Sequence, residues 1–332
     1  MTSRRTRIYR GTKRNLALLA GKLQQGELVA VPTETVYGLA ANALDTQACA
    51  RIFKAKRRPT TDPLIVHLHH FEQLAEIAKP NPAAVKLAKK FWPGPLTMIL
   101  PKTKQVPDIV TAGKSSVAVR IPAHPLFRRL LKECGLPLAA PSANPFGYVS
   151  PTIAEHVRDN LNGKIGYILD GGSAQVGLES TIVDVRDPKH PRILRPGAIT
   201  AEQIGRALGC AVKEYKPHTT ALDKSQLAPG QLPQHYSPKA RVKLYDKIPV
   251  AIASSLDAKQ AALYFQKPDD ASNRHVYWLS KTGNQSAAAR TLFAKLREMD
   301  RRGYRVIHAE LAPQGILSEA INDRLRRAAA KS

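Results

Sequence analysis

The stretch FKAKRRPTTDPLIVH, residues 53–67, places four cations, a proline and an apolar run next to one another. A helix is predicted to end near Lys56, because Pro59 disfavours the helical backbone conformation at Arg58. The chain should leave the helix in extended geometry, where side chains two positions apart share a side. Lys56 and Arg58 would then project together while Arg57 points elsewhere. The helix, its exit and the strand that follows are typical of an α/β fold.

The same alternation of apolar strand-like runs and helical stretches extends on both sides of this stretch, through residue 209. The last strands follow one another too closely for crossover helices, which predicts a mixed sheet. From about 211 to 240 the alternation stops and four prolines appear, as is typical of a linker. A second, smaller α/β alternation follows. The predicted organisation is a domain over 1–210, a linker over 211–240 and a second domain over 241–332.

Charge is the main signal in the composition. Lys and Arg number 51 against 26 Asp and Glu, a formal net charge of +25. This excess favours a polyanionic partner such as RNA, or an anionic substrate, although solubility alone could also account for it. The three cysteines are far apart and lack CxxC spacing, so neither a disulfide framework nor a zinc knuckle is indicated. No apolar run of about 20 residues and no signal-type segment occurs, so a cytoplasmic protein without a membrane anchor is expected.

Two loops that follow predicted strands carry small polar side chains suited to a ligand. The first is VPTETVYGLAANA, residues 31–43, with the candidates Thr33, Thr35, Tyr37 and Gly38. The second is APSANPFGYVSPT, residues 140–152, with the candidates Ser142, Asn144, Gly147 and Ser150. Loops beyond strand ends are where α/β sheets bind ligands, whereas hydroxyl residues in turns often only bond nearby backbone groups. Thr152 and Glu155 also have capping-box spacing for the helix that should follow.

The cations of 53–67 have two alternative roles. Lys56 and Arg58 at a strand mouth suit a triphosphate or a carboxylate, which an arginine can grip through two nitrogens. The same cations could simply stabilise a helix C-terminus, by about 0.3 to 1 kcal/mol each. Other chemistries have less support. TAGKSS, residues 111–116, lacks the first glycine of a P-loop, no GxSxG elbow occurs, and the histidines at 67, 69 and 70 have no accompanying metal ligands.

Taken together and in order, these motifs resemble the threonylcarbamoyl-AMP synthases. The resemblance covers nearly all of residues 27–200, through PTETVYGLAANA, the Lys56-x-Arg58-Pro59 exit, DPLIVH, WPGPLT, SVAVRIPAHP, APSAN, SPT, GLESTIVD and ILRPG. HYSP in the linker resembles the long, two-domain form of the family. The fold this resemblance implies is a twisted mixed-sheet YrdC-like catalytic domain followed by a smaller Rossmann-like α/β C-terminal domain.

The resemblance implies condensation of L-threonine, bicarbonate or CO2, and ATP, with Mg2+, into threonylcarbamoyl-AMP and pyrophosphate. Other proteins would then transfer the threonylcarbamoyl group to tRNA. The threonine amine attacks the carbon source and the carbamate oxygen attacks the α-phosphate, so no side-chain nucleophile is needed. Positioning and charge neutralisation would supply most of the catalysis. The linker would close over the site as a lid that excludes water.

The resemblance also assigns residues by motif position, with Lys56 and Arg58 as the catalytic cations. It assigns threonine and bicarbonate to Thr35, His67, Arg120, Ala140 and Ser180. It assigns ATP to Arg58, Asp62, Ser116, Ser142, Asn144, Ser150, Arg195 and the linker's Tyr236. Asp62 stands where many members have asparagine, and its charge beside phosphates needs a cation or Mg2+ to offset it.

A different class of protein competes with this interpretation: a module that binds double-stranded RNA or tRNA and retains only a vestigial nucleotide site. The net charge of +25 fits both hypotheses. Binding a nucleic-acid backbone needs dispersed Lys and Arg, with aromatic residues for single strands. Hydroxyls and single arginines placed at strand ends are not needed for that purpose, so they favour the synthase.

Overall fold

The computed structural model of the chain describes residues 5–215, 224–230 and 236–330. These residues divide into two compact units. The first unit contains residues 5–146, 151–174 and 179–230, and the second contains 147–150, 175–178 and 236–330. The predicted linker therefore contributes residues 211–215 and 224–230 to the first unit and residues 236–240 to the second. The domain limits at 210 and 241 stay predictions.

The first unit is built on a ten-stranded sheet. Its strands are β1 Arg7–Arg10, β2 Val29–Val31, β3 Gly38–Asn42, β4 Ile65–His67, β5 Leu96–Pro101, β6 Ser116–Arg120, β7 Leu138–Ala139, β8 Tyr167–Asp170, β9 Thr181–Asp184 and β10 Arg192–Arg195. Their order is β1-β8-β2-β3-β7-β4-β6-β5-β9-β10. Parallel pairs such as β4 with β6 alternate with antiparallel pairs such as β5 with β6, so the predicted mixed sheet is confirmed.

Helices of the first unit connect these strands. They are α1 Lys13–Gln24, α2 Thr46–Lys56, α3 Leu74–Ile77, α4 Pro82–Phe91, α5 Asp108–Thr111, α6 Pro125–Cys134, α7 Ala154–Leu161 and α8 Ala201–Leu208, with a 3-10 turn at Phe71–Gln73. The capping box predicted at Thr152 is wrong. The N-cap of α7 is Ile153, without a side-chain cap, and the Thr152 amide instead donates to the His156 ring.

Helix α2 ends at Lys56, as the sequence predicts, but through a left-handed residue and not an extended exit. Asp45 caps its start by accepting from two backbone amides, and Arg57 ends it in the left-handed conformation, with φ of 54°. The Arg58 amide then donates to the Phe53 carbonyl. Lys56 is 1% exposed and Arg58 is 7% exposed, whereas Arg57 is exposed to solvent. The two predicted partners therefore turn inward together.

One face of the sheet contains several of the predicted site residues. Ala118 of β6 lies between Ile65 of β4 and Ile99 of β5. These side chains pack with Ile182, Leu194 and Ala228. We call the surface formed by these residues the site face. Because alternate side chains of a strand share a face, Ser116 and Arg120 of β6 also belong to it. The opposite face packs into the main core, with residues such as Val66, Met98 and Val119.

The second unit has a four-stranded sheet in the order β11-β14-β12-β13, with all its pairs parallel. The strands are β11 Arg241–Tyr245, β12 Gln260–Gln266, β13 Val276–Ser280 and β14 Val306–Glu310, and the helices are α9 Val250–Ser254, α10 Gln285–Arg301 and α11 Ser318–Ala329. This confirms the predicted smaller, Rossmann-like α/β domain. Across the described parts of both units, no helix is both long and apolar enough to cross a membrane.

Candidate functional site

The predicted cation pair lies buried where α2 leads toward β4. Lys56 Nζ donates to the backbone carbonyls of Ser142 and Asn144, which ties the helix end to the loop after β7. The Arg58 guanidinium donates to the Asp62 carbonyl at 2.9 Å and the Pro63 carbonyl at 2.7 Å. Both cations are therefore held in fixed positions by backbone oxygens. A role limited to the helix dipole does not account for this inward arrangement.

Asp62 is fully buried and forms an ion pair with Arg58, with Oδ2 3.0 Å from Nη2. Burial raises the pKa of Asp62, and the nearby charges of Arg58, Lys56 and Arg195 oppose that rise. Two cations predicted to bind ATP, Arg58 and Arg195, and the predicted catalytic Lys56 therefore act on one carboxylate. On the sequence alone, the charge of Asp62 needs a cation or Mg2+ to offset it. Arg58 is that cation.

The loop after β7 runs directly along β3. The amide of Leu39 donates to the Pro141 carbonyl, and the amide of Ala143 donates to the Tyr37 carbonyl. Gly38 makes this close approach feasible, because a Cβ there would lie 3.2 Å from the Ala140 Cβ. Ser142 is partly exposed, whereas Asn144 is 1% exposed and donates to the Pro145 carbonyl. These residues of the APSAN motif are thus positioned by backbone pairing.

Another buried cation, Arg120, is the last residue of β6. Its Nε donates to the Gly94 carbonyl at 3.1 Å, and its Nη1 donates to Thr35 Oγ at 3.0 Å. Its Nη2 lies 2.6 Å from Glu34 Oε1. Thr35 in turn is 2.8 Å from Thr33, hydroxyl to hydroxyl. Arg120 and Thr35, both predicted to bind threonine, are therefore in direct contact.

His67 stands beside Arg120, since the two residues are register partners of β4 and β6. Its Nδ1 lies 3.2 Å from the Ile65 carbonyl, and its ring contacts the Phe127 ring at 5.5 Å between centroids. Burial lowers the pKa of His67 to about 3, with the charge of Arg120 acting in the same direction. The imidazole is therefore neutral and suited to polar contact without charge.

Arg195 and Ser180 form the other side of the site face. Arg195 donates from Nε to the Ser180 carbonyl and from Nη2 to the Ser180 hydroxyl, both at 3.1 Å. The same hydroxyl lies 2.7 Å from Thr97 Oγ on β5. The chain after β10 passes very close to β9, since a Cβ at Gly197 would lie 2.4 Å from the Thr181 amide nitrogen. The ILRPG and GLEST motifs are thus one packed unit.

Residues 224–230 cover the site face, and we call them the covering segment. Ala228 is buried against the apolar residues of the site face. The Gln226 amide donates to the Thr61 carbonyl at 2.8 Å, and Arg195 Nη1 donates to the Pro229 carbonyl at 3.5 Å. The lid function of this part of the linker stays a prediction, but its residues lie over the predicted site.

The other predicted residues are placed as follows. Ser116 is 4% exposed at the start of β6, and its hydroxyl has no hydrogen-bond partner among the described residues. The Ala140 amide donates to the Ile65 carbonyl. Ser150 and Tyr236 belong to the second unit, where Arg297 donates to the Ser150 carbonyl and the Tyr236 ring stacks on Phe293. Residue 235 lies outside the described residues.

Sequence reasoning missed three polar residues of this site. They are Glu34, Thr97 and Gln226, each at most 4% exposed. Glu34 stands within PTET, between two hydroxyl residues that were considered as ligands, and a charged residue beside a buried strand was the available signal. Thr97 is polar within the apolar run LTMIL, which was a second signal. Gln226 had none, because nothing in the linker indicated burial.

Comparisons with known proteins bear on the same residues. The sequence profile of the family described as Telomere recombination, which spans the Sua5, YciO and YrdC proteins, matches residues 21–197. The profile described as Threonylcarbamoyl-AMP synthase, C-terminal domain, matches residues 199–330. The first profile contains all the described residues of the site face except Ala228.

Individual relatives match over almost the whole chain. A threonylcarbamoyl-AMP synthase of Pyrococcus abyssi is 43% identical over 326 residues, covering 94% of this chain and 93% of the relative. That of Bacillus subtilis is 39% identical over 323 residues, covering 95% and 92%. Among solved structures, that of P. abyssi Sua5 complexed with L-threonine is similar with a TM-score of 0.89 and 40% identity, covering 98% of each chain.

Proposed function

This chain belongs to the threonylcarbamoyl-AMP synthase family, and we propose that it condenses L-threonine, bicarbonate or CO2, and ATP into threonylcarbamoyl-AMP and pyrophosphate. One observation of the structure carries the proposal. The first unit contains two clusters of buried polar side chains, each built around cations. In one cluster Arg120 contacts Thr35 and Glu34, and in the other Arg58 and Lys56 lie near Asp62. One cluster suits an amino-acid carboxylate and the other suits phosphates.

The reaction requires these two ligands to meet. The threonine carboxylate binds Arg120, with the hydroxyls of Thr35 and Ser180 and the neutral His67 completing its pocket. The phosphates of ATP lie toward Lys56, Arg58 and Arg195, which neutralise charge as pyrophosphate leaves. Holding the carbamate oxygen in line with the α-phosphate then supplies much of the rate increase, since no covalent intermediate with the protein is needed.

Mg2+ enters, in this proposal, as part of the ATP complex. Among the described residues no group of three or more His, Cys, Asp or Glu side chains could hold a metal ion. Asp62 is already paired with Arg58, so the ATP phosphates supply the oxygens that the ion prefers. The covering segment keeps water from the carbamate and from the mixed anhydride that it becomes.

Three further parts of the proposal concern what happens outside the site. The product passes to separate proteins that transfer the threonylcarbamoyl group to tRNA, in the cytoplasm. The net charge of +25 supports a direct contact with tRNA, which would weaken steeply as salt rises. The same charge is the observation that favours an RNA-binding module. That alternative predicts RNA binding without any threonine-dependent use of ATP.

Pyrophosphate release tests the proposal. It should require threonine and bicarbonate together, and omitting either should return it to background. Arg58→Ala should abolish it, whereas Arg57→Asn, which changes the exposed neighbour and tolerates the left-handed conformation, should not. ATP turnover indifferent to threonine, or equal losses in the two variants, would count against a synthase that uses the buried cation.

A further inference from the structure

Glu34 is a buried carboxylate to which neither the sequence nor the proposed reaction assigns a role. Its side chain is 4% exposed, and its Oε1 lies 2.6 Å from Arg120 Nη2. An arginine has five N–H donors. The carbonyl of Gly94 and the hydroxyl of Thr35 each take one of them, and Glu34 forms an ion pair with Nη2, so N–H donors remain for a ligand.

A substrate carboxylate on Arg120 brings its own amine close to Glu34. In an α-amino acid the ammonium is on the carbon next to the carboxylate. A guanidinium that holds both the substrate carboxylate and Glu34 therefore places the ammonium near the Glu34 oxygens. That ammonium has no lone pair, so it must lose a proton before it can attack a carbon atom.

We propose that Glu34 is the base that takes this proton, and that it becomes competent only when the substrate carboxylate has offset the charge of Arg120. The inference rests on the proposed function, because it concerns the first step of that reaction. The ammonium gives one proton to the Glu34 carboxylate and leaves a neutral amine. The amine lone pair then forms the C–N bond to bicarbonate, and water leaves, which yields the N-carboxylate.

The electrostatics of the pair support this order of events. Burial is the largest single effect on the pKa of Glu34 and raises it, but the paired Arg120, first through its charge, and the nearby backbone amides of Ala123 and Glu34 together lower the pKa below its ordinary value. Without substrate, Glu34 is therefore ionised and a weak base. A carboxylate bound to Arg120 cancels much of the lowering effect while burial remains, so the proton affinity of Glu34 rises. The carboxylate of the substrate thus prepares the base for its own amine.

The other titratable groups that interact with Glu34 carry no charge that could replace the effect of Arg120. His67 and His124 both interact with it electrostatically. Burial lowers the pKa of both rings, that of His67 to about 3, so both are neutral near pH 7. Thr33 and Thr35 contribute only hydroxyls. Arg120 is therefore the charge that controls Glu34.

Glu34→Gln tests the proposal through the pH profile, because an amide can still pair with Arg120 but cannot take a proton. General-base catalysis contributes about 100-fold or more, so kcat at pH 7 should fall by at least that factor. The loss in kcat should shrink as pH rises, because solvent then deprotonates the ammonium. The kcat of Glu34→Gln should therefore rise with pH, whereas that of wild type should not. A Glu34→Gln profile parallel to that of wild type, with only the KM for threonine raised, would reduce Glu34 to a positioning residue and overturn the proposal.

A second measurement uses the wild-type chain, so it does not depend on the variant folding. The probe is 2,3-dihydroxybutanoate, which keeps the carboxylate and lacks the amine. Calorimetry between pH 5 and 6, in two buffers of different ionisation enthalpy, should show a fraction of a proton taken up per ligand bound. The Glu34→Gln variant should take up a smaller fraction of a proton per ligand bound. Binding without proton uptake by wild type would contradict the control of Glu34 by substrate.

The two measurements separate this inference from the proposed function. Wild-type enzyme that releases no threonine-dependent pyrophosphate contradicts the function itself. Active wild-type enzyme with a parallel variant profile contradicts only the role of Glu34.

Discussion

Replacing Arg58 by alanine should damage stability as well as activity, because its partner has no access to water. Asp62 is 0% exposed and Arg58 is 7% exposed. Breaking a buried ion pair by removing one partner costs about 3 to 5 kcal/mol. Lys56 and Arg195 still act on the carboxylate, so we expect a loss of about 3 kcal/mol in the free energy of unfolding of the first unit. A second substitution is therefore needed to separate the loss of activity from the loss of stability.

That second substitution is Asp62→Asn, which removes the stranded charge. Arg58→Ala with Asp62→Asn should regain most of the lost stability, about 2 kcal/mol or more, while pyrophosphate release stays at least 100-fold below wild type. Activity and stability are thereby separated within one pair of residues. Arg57→Asn, next to the site but exposed, is the control for both measurements.

The chain offers a convenient assay, because its two tryptophans lie in different units. Trp92 precedes β5 of the first unit and Trp278 lies in β13 of the second. In a Trp278→Phe background, urea unfolding followed by fluorescence reports the first unit through Trp92. Arg58→Ala should lower the midpoint of this transition, and the double variant should restore it.

The stability lost in Arg58→Ala should depend on pH in a definite direction. Burial already raises the pKa of Asp62, and removing Arg58 raises it further above the unfolded value of about 3.9. A group whose folded pKa is raised stabilises the fold when it is protonated. The deficit of Arg58→Ala should therefore be largest at neutral pH and shrink as the solution is acidified. An unchanged Trp92 transition at pH 7, or a double variant as unstable as the single one, would refute the reasoning.

Three other predictions follow from particular contacts. Because burial lowers the pKa of His67 to about 3, its ring signals in NMR should not move between pH 5 and 8, unlike those of the unfolded chain; movement would contradict its neutral role. Ala228→Glu should loosen the covering segment and lower the ratio of intact threonylcarbamoyl-AMP to pyrophosphate several-fold, while Leu227→Glu, only partly buried, should lower it less. Ser180→Ala removes the hydroxyl shared by Thr97 and Arg195, so kcat/KM should fall about 10-fold, and more than in Thr97→Val. Equal effects within either matched pair would argue against these roles.

Local patterns in the sequence predicted the parts of this site that depend on local geometry. The inward direction of Lys56 and Arg58 was predicted and is observed, but the left-handed Arg57 at the end of α2 produces it, and not an extended chain from Lys56 onward. The shared face of Ser116 and Arg120 follows from the two-residue period of extended chain. The capping box at Thr152 failed because spacing alone does not fix where a helix begins; α7 starts at Ala154 and takes no side-chain cap.

Contacts between distant segments could not be predicted in this way. Thr97 and Ser180 are 83 positions apart, and they meet only because β5 and β9 are neighbours in the sheet. Gln226 likewise bonds to the carbonyl of Thr61, a residue more than a hundred positions earlier in the chain. Strand order is set by packing of the whole unit, so a local pattern contains no information on these pairs.

Two of the three arginines that the proposal gives to substrates are already paired with carboxylates of the protein. Arg58 is paired with Asp62, and Arg120 is paired with Glu34. Without its partner, each arginine would be a buried charge that costs several kcal/mol. Each carboxylate therefore stabilises the empty site, but it also repels the anion that must bind there. Substrate binding then has to change the state of the carboxylate. Glu34 can do so by taking a proton from the substrate itself, whereas Asp62 can do so only through protonation by solvent. Mg2+ bound to the ATP phosphates would reduce the repulsion by neutralising part of their charge. Asp62→Asn should accordingly tighten ATP binding in the absence of Mg2+ more than in its presence, and equal effects would exclude this role of the carboxylate.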